Sequence, residues 1–224
     1  MCGRYVVDVT KEELSQRFHA TVELIKLTSS YNVTPGSYIP AVIQQSPNTV
    51  VLMKWGLIPH WSKEFRVKYS TINARAENLS TSPVYRLPYQ KQRCLIPANG
   101  FYEWQVIDKN IKQPYFIFLK NRSLFSFAGI FDTWKDAEDK VFWTCSLITT
   151  APNDIVRHIH SRMPVILKID DEQTWLSLNT QQNILNKLLA PYSSTDTEAY
   201  PVGLRVNNPK NDDKSLVVRD SGVH

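Results

Sequence analysis

Residues 93–119, RCLIPANGFYEWQVIDKNIKQPYFIFL, hold three apolar runs rich in β-branched and aromatic residues: RCLIPA (93–98), GFYEWQVI (100–107) and PYFIFL (114–119). An Asn-Gly step and a polar, charged break separate them, the pattern of consecutive strands joined by turns. SLFSFAGI (123–130) and VFWTCSLITT (141–150) continue it on the C-terminal side. On the N-terminal side, YIPAVIQQSPNTVVLMKWGL (38–57) reads as two strands around an SPNT turn. The polar run DTWKDAEDK (132–140) is expected to be a loop between strands.

Helical signals are short and lie at the flanks. In TKEELSQRFHA (10–20), Thr10 and Glu13 form a T-x-x-E capping box, with Leu14 and Phe18 one turn apart on one face. NDIVRHIH (153–160) predicts a short helix or turn, MPVIL (163–167) a strand, DEQTWLSL (171–178) and TQQNILNKLLAPY (180–192) two helical pieces, and VGLRV (202–206) a last strand. Strands and helices do not alternate strictly. The expectation is an α+β fold, a largely antiparallel, barrel-like sheet flanked by short helices. No linker, repeat or low-complexity block divides the chain, so one domain over residues 1–224 is expected.

The 224 residues are 42% hydrophobic and 21% charged, the composition of a globular chain rather than a disordered one. No apolar run is long enough to span a bilayer, and MCGRYVVDVTKEEL lacks a basic n-region followed by an apolar h-region. A cytoplasmic protein without membrane association is the resulting expectation. Three cysteines, Cys2, Cys94 and Cys145, form no C-x-x-C pair, which argues against a disulfide framework or zinc site. Cys94 and Cys145 lie in apolar strand-like runs, where cysteine is usually a small buried hydrophobe. The net charge of +5 is compatible with a polyanionic partner but does not require one.

Four stretches carry residues suited to chemistry. In MCGRY (1–5), removal of Met1 would leave Cys2 with an α-amine and a thiol on adjacent carbons. An unprotonated amine adds to an aldehyde to give an imine, and the neighbouring thiol can close onto the imine carbon as a five-membered thiazolidine. The alternative is an incidental cysteine at a frayed terminus. In STINARAENL (70–79), an extended chain would put Asn73, Arg75 and Glu77 on one face, with arginine able to clamp a phosphate and asparagine able to orient an amine; a solvated strand edge or a helix start is the plainer outcome.

In PANGFYEWQ (97–105), Glu103 lies between Tyr102 and Trp104, where desolvation would raise its pKa and make it a general acid, unless strand alternation turns it to solvent. RHIHSRMPVIL (157–167) suggests a polar rim at the mouth of a sheet, with histidine suited to proton shuttling. Its H-x-H pair has no nearby third ligand, so neither a metal nor an organic cofactor is expected.

Taken together these stretches resemble the SRAP family, named SOS response-associated peptidases and known as sensors of abasic sites in single-stranded DNA. The resemblance rests on MCGRY, YNVTPG (31–36), MKWGLIPHW (53–61), TINARAE (71–77), GFYEWQ (100–105), QPYFIF (113–118), FAGIFDTW (127–134), ITTAPN (148–153), IHSRMPVIL (159–167) and VNNPKND (206–212), in this order. It implies a mature protein that begins at Cys2 and captures the ring-opened aldehyde of an abasic deoxyribose as a thiazolidine. It further implies that Asn73 holds the amine of Cys2, that Glu103 is the acid that helps open the sugar and assists reversal, and that His160 is the proton shuttle for Schiff-base formation. A strand-cleaving lyase side reaction through the same imine is implied as well.

The same resemblance puts Arg4, Arg75 and Arg162 along the DNA path and makes Trp55 and Trp61 an aromatic surface for bases. The run AENLSTSPVYRLP (76–88) departs from the family's commoner A-E-K-P-x-F-R-like pattern, with Arg86 in its final position. Single-stranded DNA bearing abasic sites is the expected partner, and a monomer the expected state. Two alternatives remain: a thiol peptidase with Cys2 as nucleophile, His160 as base and Asn73 or Glu103 as orienting group, and a non-covalent single-strand binding module indifferent to Cys2.

Overall fold

In the computed structural model, which describes residues 2–22, 26–65, 70–109, 111–121 and 123–221, the 93–119 stretch forms three consecutive strands. The elements up to the first of these are β1 (Arg4–Val7), α1 (Lys11–Phe18), β2 (Ala20–Thr21), β3 (Ser30–Val33), β4 (Tyr38–Ile43), β5 (Asn48–Trp55), β6 (Asn73–Arg75), α2 (Arg86–Lys91) and β7 (Arg93–Ala98). After them come β8 (Gly100–Asp108), β9 (Ile111–Leu119), β10 (Phe125–Lys135), β11 (Val141–Thr150), β12 (Met163–Pro164), β13 (Ile166–Leu167), α3 (Ile169–Leu176), α4 (Gln182–Leu188) and β14 (Thr197–Pro201).

Two largely antiparallel sheets result, one of five strands in the order β14-β9-β8-β1-β3 and one of nine built around β11-β10-β7-β4-β5. A parallel pairing of β5 with β11, Thr144 opposite Lys54 and Cys145 opposite Trp55, joins the ends of that run and closes a ring of five strands. Closure leaves those strands without free edges, the condition that makes a barrel resistant to edge-to-edge association. The α+β, barrel-like expectation is met. Among the described residues no helix is long and apolar enough to cross a membrane.

The flanking helices are tied down by buried polar groups. Thr10 and Glu13 form the capping box at the start of α1. Arg17 near the end of α1 donates both terminal nitrogens to Glu172 of α3 at 2.8 Å, and Ser126 of β10 donates to the same carboxylate at 2.7 Å. Arg93 donates to the carbonyls of Tyr89 and Gln90 near the end of α2 and of Trp175 and Ser177 at the end of α3, at 2.6–2.8 Å. One guanidinium thereby satisfies carbonyls that helix ends leave without intrahelical partners.

Three local expectations change. Strand β10 runs on through Lys135, so Asp132–Lys135 are strand and the turn is confined to the residues that follow. The last strand is Thr197–Pro201; the end of the expected VGLRV strand instead enters a 3₁₀ turn, Leu204–Asn207. In the third case MPVIL is split into β12, paired with β11, and β13, paired with β10.

A main apolar core draws on residues from Cys2 to Leu189. A second cluster, including Tyr102, Phe116, Phe118, Tyr200 and Val206, covers the five-stranded sheet with the C-terminal segment. Gly100 begins β8 beneath the ring of Phe116, where an added Cβ would come within 2.3 Å of that ring. This close approach lets the C-terminal cluster seat beside the strand that carries Glu103.

Candidate active site

Strand β8 sets the site. Tyr102 pairs with Arg4 of antiparallel β1, so the register continued by one residue puts Gly3 beside Glu103 and directs the chain back to Cys2. Glu103 is buried, and burial pushes its carboxyl up to about 7. The plain alternative of a solvated Glu103 is thus overturned. Cys2, expected apart from the buried cysteines, is fully buried and belongs to the main core, as Cys94 and Cys145 do. Desolvation foremost, then the charge of Glu103, raises its thiol pKa, which keeps the sulfur protonated near neutral pH.

Asn73 arrives on β6, which pairs in parallel with β11, Asn73 opposite Leu147. Its amide Nδ2 donates to the carbonyl of Cys2 at 2.8 Å, while its buried Oδ1 has no hydrogen-bond partner among the described residues. His160 follows a 3₁₀ turn (Val156–His158) anchored by Asn153, whose Oδ1 accepts from the Val156 amide at 3.0 Å. Gln105 of β8 ties in the same turn by donating to the His158 carbonyl at 2.9 Å. The His160 Nδ1 lies 3.9 Å from Glu103 Oε1.

The backbone amide of Arg162 lies 3.1 Å and its carbonyl 3.2 Å from that Nδ1, so either tautomer of the neutral ring finds a partner there. Burial foremost, with Lys112 contributing, lowers the His160 pKa and favours this neutral form. Cys2, Asn73, Glu103 and His160 therefore meet at one place. A pocket of about 470 Å³ opens at Glu103 and His160, lined also by Arg4, Trp104, Val106, Lys112 and Asn207, with Cys2 and Asn73 buried outside its lining.

The residues expected along a DNA path differ in placement. Arg75 is exposed at the end of β6, where the chain turns into a 3₁₀ segment (Ala76–Asn78), so Glu77 leaves the strand face that Asn73 and Arg75 define. Arg162 forms a two-pronged ion pair with Glu77 at 2.6 and 3.0 Å and donates to the Thr149 carbonyl at 2.6 Å. Arg4 lines the pocket, with its guanidinium donated to Asn32 at 2.8 Å and to the Val206 carbonyl at 2.7 Å, so it also holds the C-terminal segment in place.

Trp61 is 54% exposed on a loop held by Asp132, which accepts from both the amide and Nδ1 of His60. Trp55 is a correction. It is 1% exposed, donates its indole N–H to the Ile72 carbonyl at 2.8 Å and packs edge-on against Tyr5, so it offers no surface to bases.

Lys112 and Asn207 were not singled out by the sequence. Lys112 enters because β9 pairs with β8, setting it opposite Val106. Asn207 lies within VNNPKND, a matching stretch to which no role had been attached. Among the described residues, no three His, Cys, Asp or Glu side chains converge to hold a metal ion.

A sequence profile of the family described as SOS response associated peptidase (SRAP) matches residues 1–209. The chain belongs to that family. Among the relatives of this SRAP chain, abasic site processing protein YoqW of Bacillus subtilis is 42% identical over 221 residues, covering 97% of this chain and 99% of the relative. Abasic site processing protein HMCES of Mus musculus is 28% identical over 264 residues, covering 94% and 74% respectively. A crystal structure of a protein from Bacteroides thetaiotaomicron superposes with a TM-score of 0.90 at 28% identity, covering 98% of this SRAP chain and all of that one.

Proposed function

We propose that this protein senses abasic sites in single-stranded DNA and captures them covalently through Cys2. The observation that carries the proposal is the meeting of Cys2, Asn73, Glu103 and His160, with Asn73 donating to the Cys2 carbonyl and His160 3.9 Å from Glu103. The relatives named as abasic site processing proteins support it.

Hydrolysis of the Met1–Cys2 peptide bond consumes one water, releases methionine and exposes the α-amine. The amine attacks C1′ of the ring-opened sugar, and the carbinolamine loses water to give an imine. Glu103, a carboxylic acid with its pKa near neutrality, donates a proton to the departing oxygen. Neutral His160 relays protons at the same atoms. The Cys2 sulfur then adds to C1′ while its proton passes to nitrogen, so the net change for capture is loss of one water. Closing the ring inside a buried site uses the proximity of thiol and imine and keeps water from reversing the imine first. The same imine acidifies the C2′ proton; loss of that proton with cleavage of the C3′–O bond is the lyase side reaction.

Comparing the wild type with Cys2→Ser on an oligonucleotide carrying one abasic site tests the proposal. The serine variant keeps an amine but no thiol. Wild type should give a heat-stable crosslink without reductant, and Cys2→Ser only an imine that must be fixed with borohydride. Equal heat-stable adduct in both would overturn thiazolidine capture. Acetylating the α-amine separates this chemistry from a thiol peptidase, because capture stops whereas peptide hydrolysis does not require that amine.

A further inference from the structure

Among the described residues, Lys112 supplies the only primary amine of a side chain that lines the pocket at Glu103 and His160. Its strand fixes it there, because β9 pairs with β8 and sets Lys112 opposite Val106, itself part of the lining. Lys112 is exposed, and no described carboxylate lies within ion-pair distance of its ammonium. Cys2 differs on each count. It is fully buried and stands outside the pocket lining, as Asn73 does. An aldehyde that enters the pocket meets the lysine nitrogen on its wall, whereas the nitrogen of Cys2 lies behind it.

We infer that Lys112 is a catalytic residue that takes up the aldehyde first, as an imine, and passes it to the α-amine of Cys2. The inference rests on the abasic-site reading above and adds a step ahead of Cys2. The Lys112 ammonium gives a proton to His160, which burial foremost, with Lys112 contributing, holds in its neutral form. The freed amine attacks C1′, and the carbinolamine loses water as Glu103 protonates the departing oxygen. An imine holds the sugar ring-opened, and in its protonated form it is a stronger electrophile than the aldehyde it replaces. The Cys2 amine then adds to the same carbon, so that C1′ carries both nitrogens. A proton moves from the Cys2 nitrogen to the lysine nitrogen, the C1′–Nζ bond breaks, and the imine is left on Cys2. Lys112 recovers its proton from His160, and Glu103 recovers its own from the iminium nitrogen. Ring closure by the Cys2 sulfur follows unchanged, and capture still releases one water overall.

Two measurements on a single-stranded oligonucleotide carrying one abasic site test this. In the first, wild-type reactions are quenched with borohydride at successive times, digested with nuclease and protease, and the modified residue is located by peptide mass spectrometry. An adduct on Lys112 should appear first and decline as the adduct on Cys2 rises. The second compares wild type with Lys112→Arg, which keeps the positive charge and removes the nucleophilic amine. At this exposed position the change should leave the denaturation midpoint where it was. The rate of heat-stable crosslinking should fall at least about tenfold, with the final yield kept because Cys2 is intact. A lysine that acted by its charge alone would be served equally by arginine. Trapping on Cys2 alone at every quench time, or a wild-type rate in Lys112→Arg, would each overturn the role of Lys112. Absence of any wild-type crosslink would instead overturn the abasic-site reading.

Discussion

Asn73 donates its side-chain amide to the carbonyl of Cys2 across 2.8 Å, joining positions 71 residues apart in a buried site. The bond fixes Cys2 against β6, and the other end of the same amide, Oδ1, is buried without a partner among the described residues. Replacing Asn73 by Ala leaves the Cys2 carbonyl unsatisfied and lets Cys2 move. The expected outcome is a stability loss of about 1–3 kcal/mol, seen as a lower denaturant midpoint, and a crosslinking rate reduced at least about tenfold. Asn73→Asp, which faces an acceptor with an acceptor, should be worse on both counts.

Glu103 predicts a pH dependence with a definite sign. Its carboxyl is raised from 4.5 to about 7 by burial, so the folded state holds a proton that the unfolded state releases between those values. Stability contributed by this group is present below pH ~4.5 and lost as pH rises through ~7, a change of about 3 kcal/mol. Glu103→Gln, neutral at every pH, should remove that slope from denaturation midpoints measured between pH 4.5 and 8. Crosslinking by the wild type should lose its acid as pH passes ~7, and the variant should be slow throughout.

Glu77 occupies the guanidinium fork of Arg162 with both carboxylate oxygens. That contact is the geometry a phosphate would use, so a DNA strand reaching Arg162 must compete with Glu77. Glu77→Gln should raise affinity for single-stranded DNA several-fold at low salt, and Arg162→Ala should lower it. Fluorescence anisotropy over a salt series measures both, and an unchanged affinity in Glu77→Gln would show that Arg162 does not reach phosphate.

The two tryptophans of KWGLIPHW should separate cleanly. Trp55 is in the core, and Trp55→Ala should cost about 3–5 kcal/mol of stability. Trp61 stands in solvent, so Trp61→Ala should leave stability within about 0.5 kcal/mol. If its ring stacks on a base, that variant should bind single-stranded DNA about 5- to 100-fold more weakly.

Much of the architecture was legible because it is local. The capping box at Thr10 and Glu13 and the strand runs from 93 to 150 are patterns within a few residues of one another. The end of β10 was not, because Asp132 and Thr133 look like turn residues yet pair with Thr144 and Trp143 of β11. Nor was the core placement of Trp55, since the parallel seam that sets Trp55 opposite Cys145 joins segments far apart in sequence. The family resemblance pointed to Cys2, Asn73, Glu103 and His160 together, where residue types alone left plainer readings open, and no local pattern brings a lysine of the neighbouring strand to the pocket that Glu103 lines. Lys112 became visible only through the pairing of β8 with β9.

Intact-mass spectrometry of the purified protein, before and after incubation with a single-stranded oligonucleotide carrying one abasic site, tests the central claim most directly. The account predicts a starting mass lacking Met1 and a heat-stable adduct equal to protein plus oligonucleotide minus one water, absent from Cys2→Ala. Retention of Met1 in protein that still crosslinks, or an equal adduct in Cys2→Ala, would contradict capture through the amine and thiol of Cys2.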